Sequence, residues 1–216
     1  MLSVLGGGLL WASWPMSPFT FLIFIAFIPF LWLEHQIKGN RRFFYAVFLG
    51  MLIWNACCTW WVCLASLPGG IVAMLFSSTV MSLPWLYFRR VKKRAGEKWG
   101  YTALVAGWLS FEYIYLNIQL SWPWLTVGNV FSAHPNWVQW YEYTGSSGGS
   151  IWALLVNVFV FISIKQRRRQ KAGTSSPAVF SHLPAVGKIR GLPIPALPAL
   201  LLLLAVPFAC SYLILS

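Results

Sequence analysis

The sequence predicts an all-α protein, a polytopic membrane bundle of about seven transmembrane helices, on three observations. Of its 216 residues, 58% are hydrophobic and only 9% are charged, and the mean hydropathy is +0.67. All 16 Lys and Arg residues fall in three short stretches, Lys38 to Arg42, Arg89 to Lys98 and Lys165 to Arg190. Between them run apolar segments nearly free of charge, and a helix rising about 1.5 Å per residue needs about 20 such residues to cross a hydrocarbon core of about 30 Å. Soluble domains do not have this composition. Nor does the net charge of +12 indicate a nucleic-acid partner, because a nucleic-acid binder spreads its basic residues over one folded face.

Taken in order, the spans fall near 2–14, 19–33, 43–67, 71–88, 99–120, 151–164 and 197–215, one transmembrane domain over 1–216. The connections Pro15 to Pro18 and Pro68 to Gly70 are short and uncharged, as turns built from Pro and Gly are. Basic loops at 34–42, 89–98 and 165–193 alternate with non-basic ones. By the positive-inside rule the N-terminus is cytoplasmic, the C-terminus periplasmic, and the stretch 121–150 a periplasmic loop. A signal peptide is the competing reading of the first segment, but it lacks a basic leading region and a small-residue cleavage pattern.

Few residues carry ordinary site chemistry. Cys57, Cys58, Cys63 and Cys210 all lie in predicted spans, which excludes a secreted disulfide framework and offers no zinc spacing. Burial in an apolar helix makes a thiol inert, so they read as small packing residues. His35, His134 and His182 are too far apart in sequence to form a metal motif, and no metal or other cofactor is expected.

Glu112 stands out among the four glutamates because it lies in mid-span, where a charge costs about 2.5 to 3.5 kcal/mol on insertion scales and should face the bundle interior. Trp108, Glu112, Tyr115 and Gln119 recur at helical spacing and share one face. An interhelical hydrogen bond and a direct substrate role are both open to this carboxyl.

The outer loop is polar and aromatic, with Trp122, Trp124, Trp137, Trp140, Tyr141 and Tyr143 and no basic residue. Such rings favour the headgroup level, as anchors or as a lip for a lipid chain. Pro123 biases Trp122 away from helix, so the fifth span should end there. Glu112 then lies roughly 15 Å below Trp122 at helical rise, too deep to touch an ester at the surface. Lipid or substrate contact therefore falls to Trp122, Pro123, Trp124, Gly128 and Asn129, and bundle support to Glu112.

The run Trp108, Glu112, Trp122, Pro123, Trp124, Leu125 and Gly128, continued by Thr144, Gly145, Gly148, Ser150 and Asn157, resembles the apolipoprotein N-acyltransferases. Pro15, Pro18, Pro29, Gly50, Trp60 and Trp61 fit the same family, over roughly residues 1 to 164. One departure is Tyr115, where the family commonly has arginine. The resemblance implies a bacterial inner-membrane enzyme of lipoprotein biosynthesis, whose partners are a phospholipid acyl donor, a lipoprotein substrate and the surrounding membrane lipids. In that family a periplasmic nitrilase-like domain supplies a Cys nucleophile, a Glu base and a Lys beside the oxyanion.

No cysteine here sits near such a Glu and Lys, so the expectation is the membrane half of the enzyme, inactive alone: either a fragment, or a split product partnered by a separate nitrilase-like subunit. The alternatives are a non-enzymatic membrane scaffold or partner subunit and a transporter. Against the transporter stands the lack of paired ionisable residues across spans.

Overall fold

The computed structural model describes residues 1–118, 123–171 and 196–215, and among these it is helical with no strand. The helices are α1 (Leu2–Ala12), α2 (Ile23–Ala26), α3 (Ile28–Gln36), α4 (Asn40–Thr59), α5 (Val62–Ala65), α6 (Leu67–Ala95), α7 (Glu97–Asn117), α8 (Tyr141–Lys171) and α9 (Ala196–Leu215). Three of them, α4, α6 and residues Tyr141–Arg168 of α8, are long and apolar enough to cross a membrane by length and composition; Leu2–Ala12, Thr20–Gln36 and Pro198–Ile214 are shorter apolar helical stretches. His182 and most of the basic stretch 165–193 lie outside the described residues.

The core is aromatic. Phe27, Phe30, Trp54, Trp85, Trp108 and Phe161 are fully buried, and Phe27 meets Trp85 and Trp108 at ring centroid distances of 5.9 and 5.1 Å. Offset and edge-to-face ring pairs add about 0.5 to 1.5 kcal/mol each beyond area burial. In lipid such packing matters more than hydrophobicity, because the chains outside are as apolar as the core. Helix α1 reaches α4 closely through small residues: a Cβ on Gly7 would meet the Gly50 carbonyl oxygen at 2.4 Å.

Two apolar segments are broken where sequence patterning reads them as continuous. The segment 19–33 is a 3-10 turn (Thr20–Leu22), then α2, then α3, with Pro29 in the first turn of α3, where a missing N–H is harmless. The segment 43–67 ends as α4 at Thr59 and tightens through 3-10-type bonds from Cys63 N–H to Trp60 O and from Leu64 N–H to Trp61 O, both 3.0 Å. Pro68 to Gly70, read from sequence as a turn, is the first turn of α6, capped by Ser66 accepting from Gly69 N–H at 3.3 Å. Likewise the basic stretch 89–98 is helical through Ala95, and the reversal into α7 occurs at Gly96, whose φ of 90° suits glycine.

The described parts of the basic stretches converge on one end of the bundle. Lys92 pairs with Glu34 and Lys165 with Glu97, joining the ends of α3, α6, α7 and α8. Arg89 donates to the carbonyl oxygens of Ile37 and Lys38 at 2.5 and 2.6 Å, closing the C-terminus of α3, and its guanidinium stands 4.8 Å from the Phe43 ring. Helix α7 carries the chain away from this end to the segment 123–140, which has neither Lys nor Arg.

Candidate functional site

At the other end the chain after α7 folds back over the bundle in 3-10 turns at Pro123–Leu125, Val127–Ala133 and Pro135–Trp137. Val127, Val130 and Phe131 are fully buried, and the Phe131 ring stacks on Trp152 of α8 at 5.0 Å. The loop therefore goes into the bundle instead of lying flat on its rim. Its depth comes from glycines: a Cβ on Gly128 would sit 1.8 Å from the Ser146 carbonyl oxygen, and one on Gly149 would sit 1.6 Å from the Tyr141 hydroxyl. Gly145, at φ 61°, kinks α8 so that residues 141–144 turn aside from its apolar body.

Glu112 meets this loop. Its Oε1 accepts Trp108 Nε1–H at 2.9 Å from its own helix and Val127 N–H at 2.8 Å from the loop. Ser150 Oγ accepts Gly128 N–H at 2.9 Å, and its hydroxyl stands near enough to interact with the same carboxyl, whose Oε2 has no partner at hydrogen-bond geometry. Tyr141 OH donates to the Gly128 carbonyl oxygen at 2.8 Å. The first N–H groups of a helical turn have no partner within it, and here two of them are taken by side chains of α7 and α8.

The polar face read from sequence divides. Trp108 and Glu112 bond to each other, Tyr115 bonds instead to Ser77 of α6 at 2.5 Å, and Gln119 lies outside the described residues. Of the five residues assigned to substrate contact, Trp122 also lies outside them. Pro123 opens the first 3-10 turn. Gly128 is buried, and a Cβ added to it would meet the Ser146 backbone. Asn129 is half-buried, its N–H bonded to Thr126 O at 2.9 Å. Trp124 is 42% exposed and meets Trp61 edge to face, with centroids 5.1 Å apart.

Val127, Ser150 and Tyr141 complete the arrangement, and sequence reasoning did not assign them to it. A backbone N–H has no sequence signature; the two glycines before Ser150 were the signal of a close approach.

Other chemistry is sparse. Among the described residues no three His, Cys, Asp or Glu side chains gather to hold a metal, and the four cysteines are free. Between α6 and α7 runs an apolar groove of about 500 Å³, walled by Leu83, Pro84, Tyr87, Gly107, Phe111 and Ile114.

A bundle that is helical among its described residues, with three helices long and apolar enough to cross a membrane, one basic end and an aromatic, glycine-packed opposite end, has the character of a membrane protein. Within that class, residues 6–159 match the model of the apolipoprotein N-acyltransferase N-terminal domain, and the chain belongs to that family. It is 35% identical over 169 residues to the apolipoprotein N-acyltransferase of Chlorobaculum tepidum, an alignment covering 77% of this chain and 31% of that protein. The chain thus spans about a third of the length of that curated relative. No solved structure matches it.

Proposed function

We propose that these residues form the membrane part of an enzyme that moves an acyl chain from a phospholipid to the N-terminal diacylglyceryl-cysteine of a bacterial lipoprotein. The observation that carries this is the family match over 6–159, which takes in Trp108, Glu112, Gly128, Ser150 and Asn157. The acyl-transfer chemistry belongs to a nitrilase-like domain or subunit on the periplasmic side. There a cysteine thiolate attacks the phospholipid ester, a thioester forms as the lysophospholipid leaves, and the α-amine displaces the thiol to form an amide. The 216 residues contribute a membrane seat and a lipid-facing rim and do not turn over by themselves.

In the same reading the chain crosses the inner membrane seven times, near 2–14, 19–33, 43–67, 71–88, 99–120, 151–164 and 197–215, with its N-terminus cytoplasmic and C-terminus periplasmic. The grouping of Arg89, Lys92 and Lys165 at one end, against an aromatic segment without Lys or Arg at the other, supports that orientation. At the periplasmic rim the exposed Trp124, beside Trp61, lines a lipid entrance, with Trp122, Pro123 and Asn129 as its neighbours in the chain.

The test supplies purified protein with phospholipid and a diacylglyceryl peptide, alone and with the catalytic domain of a family member, and reads triacylated peptide by mass spectrometry. Product is expected only with that domain present. Turnover by these residues alone, abolished by Cys210→Ala, would overturn the division of labour. Failure of the combined system, with both parts folded, would overturn the assignment of the membrane seat.

A further inference from the structure

We propose that Glu112 of α7 and Ser150 of α8 are positioning residues, a two-helix latch that holds the start of the outer loop down inside the bundle and so sets Trp124 at the rim. The loop has two anchors of different chemistry. Its far half is held by apolar packing, with Phe131 between Trp152 and Phe24 at 5.0 and 5.9 Å and Val130 fully buried. Its near half has Leu125 and Val127 as buried apolar side chains, but it also has two adjacent amides, Val127 and Gly128, at the start of a 3-10 turn. Those amides need acceptors away from water, and an unmet one in an apolar interior costs more than the apolar contacts beside it.

Glu112 Oε1 of α7 takes the first and Ser150 Oγ of α8 the second, at 2.8 and 2.9 Å. Trp108 Nε1–H holds the carboxyl in place at 2.9 Å, so the acceptor is preset on a rigid helix. Trp124 lies three residues before Val127 and two before Thr126, which has an extended backbone, so the position of the latch is passed directly to the Trp124 ring. Glu112 itself is 3% exposed and touches no lipid; it acts through the loop. Only the consequence for lipid contact rests on the proposed function, whereas the latch is a property of the chain itself.

The test reads local opening in the whole chain in lipid vesicles. With Cys57, Cys58, Cys63 and Cys210 replaced by Ala, Val127→Cys places one thiol at a fully buried position, and a water-soluble charged maleimide reports its exposure. Glu112→Leu and, separately, Ser150→Ala should speed labelling by about tenfold or more, because protection tracks the population of the locally open state. Glu112→Gln, whose amide oxygen can accept the same two N–H groups, should stay within about threefold of the parent. A second reporter, Ser132→Cys, lies on the exposed side beside the apolar anchor and should label at an unchanged rate in all variants. Asn157→Leu, a buried polar deletion elsewhere in the bundle, is the control for general destabilisation and should leave Val127→Cys protected.

Parent-like labelling in both Glu112→Leu and Ser150→Ala would overturn the latch, and so would equal exposure in Asn157→Leu. If Glu112→Leu does not fold, Ser150→Ala carries the test from the other helix. No acyl transfer enters the readout, so failure here is separate from failure of the enzymatic reading.

Discussion

Asn157 stands inside the hydrogen-bond ladder of another helical segment: its Oδ1 accepts Phe27 N–H at 2.9 Å, while its Nδ2 donates to the Ile23 carbonyl oxygen at 2.7 Å. In an unbroken helix those two backbone groups would bond each other, as residues i and i−4. The side chain of α8 thus fills the break between α2 and α3 and ties it to a third element; its Nδ2 also donates to Ala153 O at 2.8 Å. Removing it strands two buried backbone groups, each costing about 1 to 3 kcal/mol. Asn157→Leu should therefore lower the midpoint of thermal unfolding in detergent by about 5 °C or more. Asn157→Asp, which keeps the acceptor and loses the donor, should fall between. A parent-like midpoint for Asn157→Leu would mean that ring packing alone holds the break.

Gly128→Ala makes a sharper demand on packing. The added carbon would sit 1.8 Å from the Ser146 carbonyl oxygen, a backbone atom that cannot swing away. The 3-10 turn must then lift from α8, at a cost of about 1 to 3 kcal/mol, as for other overpacked sites. Gly8→Ala, where the new carbon meets nothing within 4 Å, is the matched control and should be neutral in the same unfolding assay.

Topology is open to direct reading. Reporters fused after Gly39 or Ala95 should be cytoplasmic, and those after Gly69 or Pro135 periplasmic, because basic residues resist translocation. An active periplasmic reporter after Ala95 would refute the orientation.

At the basic end, stability should depend on pH through Glu97. Burial pushes its pKa up, but the bond to Lys165 and the nearby charges of Lys165 and Lys92 outweigh this and hold it below the usual carboxylate range. A carboxylate with a lowered folded pKa stabilises the fold above its unfolded value of about 4.3 and loses that contribution as pH falls through the folded value. Thermal stability should thus be flat in this respect from pH 7 to about 5 and decline below about 4. Glu97→Gln should cost about 1 kcal/mol at pH 7, since the pair is partly solvated, and should flatten the acid decline. An unchanged acid profile in Glu97→Gln would place the sensitivity elsewhere.

Much of this architecture was legible because a membrane leaves few choices: long uncharged runs must be helices, and Lys and Arg must gather outside them. The spacing of Trp108 and Glu112 put them on one face, and a bond between them is what that spacing allows. The breaks after Ala26 and Thr59 were not legible, because the groups that compensate them lie elsewhere in the chain: Asn157 is 130 residues from Phe27. The inward fold of the outer loop was missed for a related reason. Aromatic content reads as a headgroup anchor, whereas burial of Val127, Val130 and Phe131 depends on the close approach of Gly128 in the loop to Ser146 and Gly149 of α8, a contact between segments that periodicity does not encode.

Trp124 provides the final prediction, and it separates anchoring from function. The ring is 42% exposed and leans edge to face on Trp61, itself 45% exposed, so the two form a corner of which roughly half stays open. A ring this exposed contributes less to folding than a core ring, and its pairing with Trp61 is worth about 0.5 to 1.5 kcal/mol. Should the corner be the lipid entrance, its loss will act on substrate access and leave the fold nearly intact. In an enzyme joining this membrane half to an active catalytic domain, Trp124→Ala should reduce acyl transfer about tenfold, mostly as a higher KM for phospholipid, with thermal stability within about 1 kcal/mol of the parent. Trp61→Ala should act in the same direction, and the double variant should do little more than either alone, because each single change already opens the corner. Unchanged acyl transfer in Trp124→Ala would reduce the ring to an anchor. Stability loss as large as for Asn157→Leu would show instead that the corner belongs to the core.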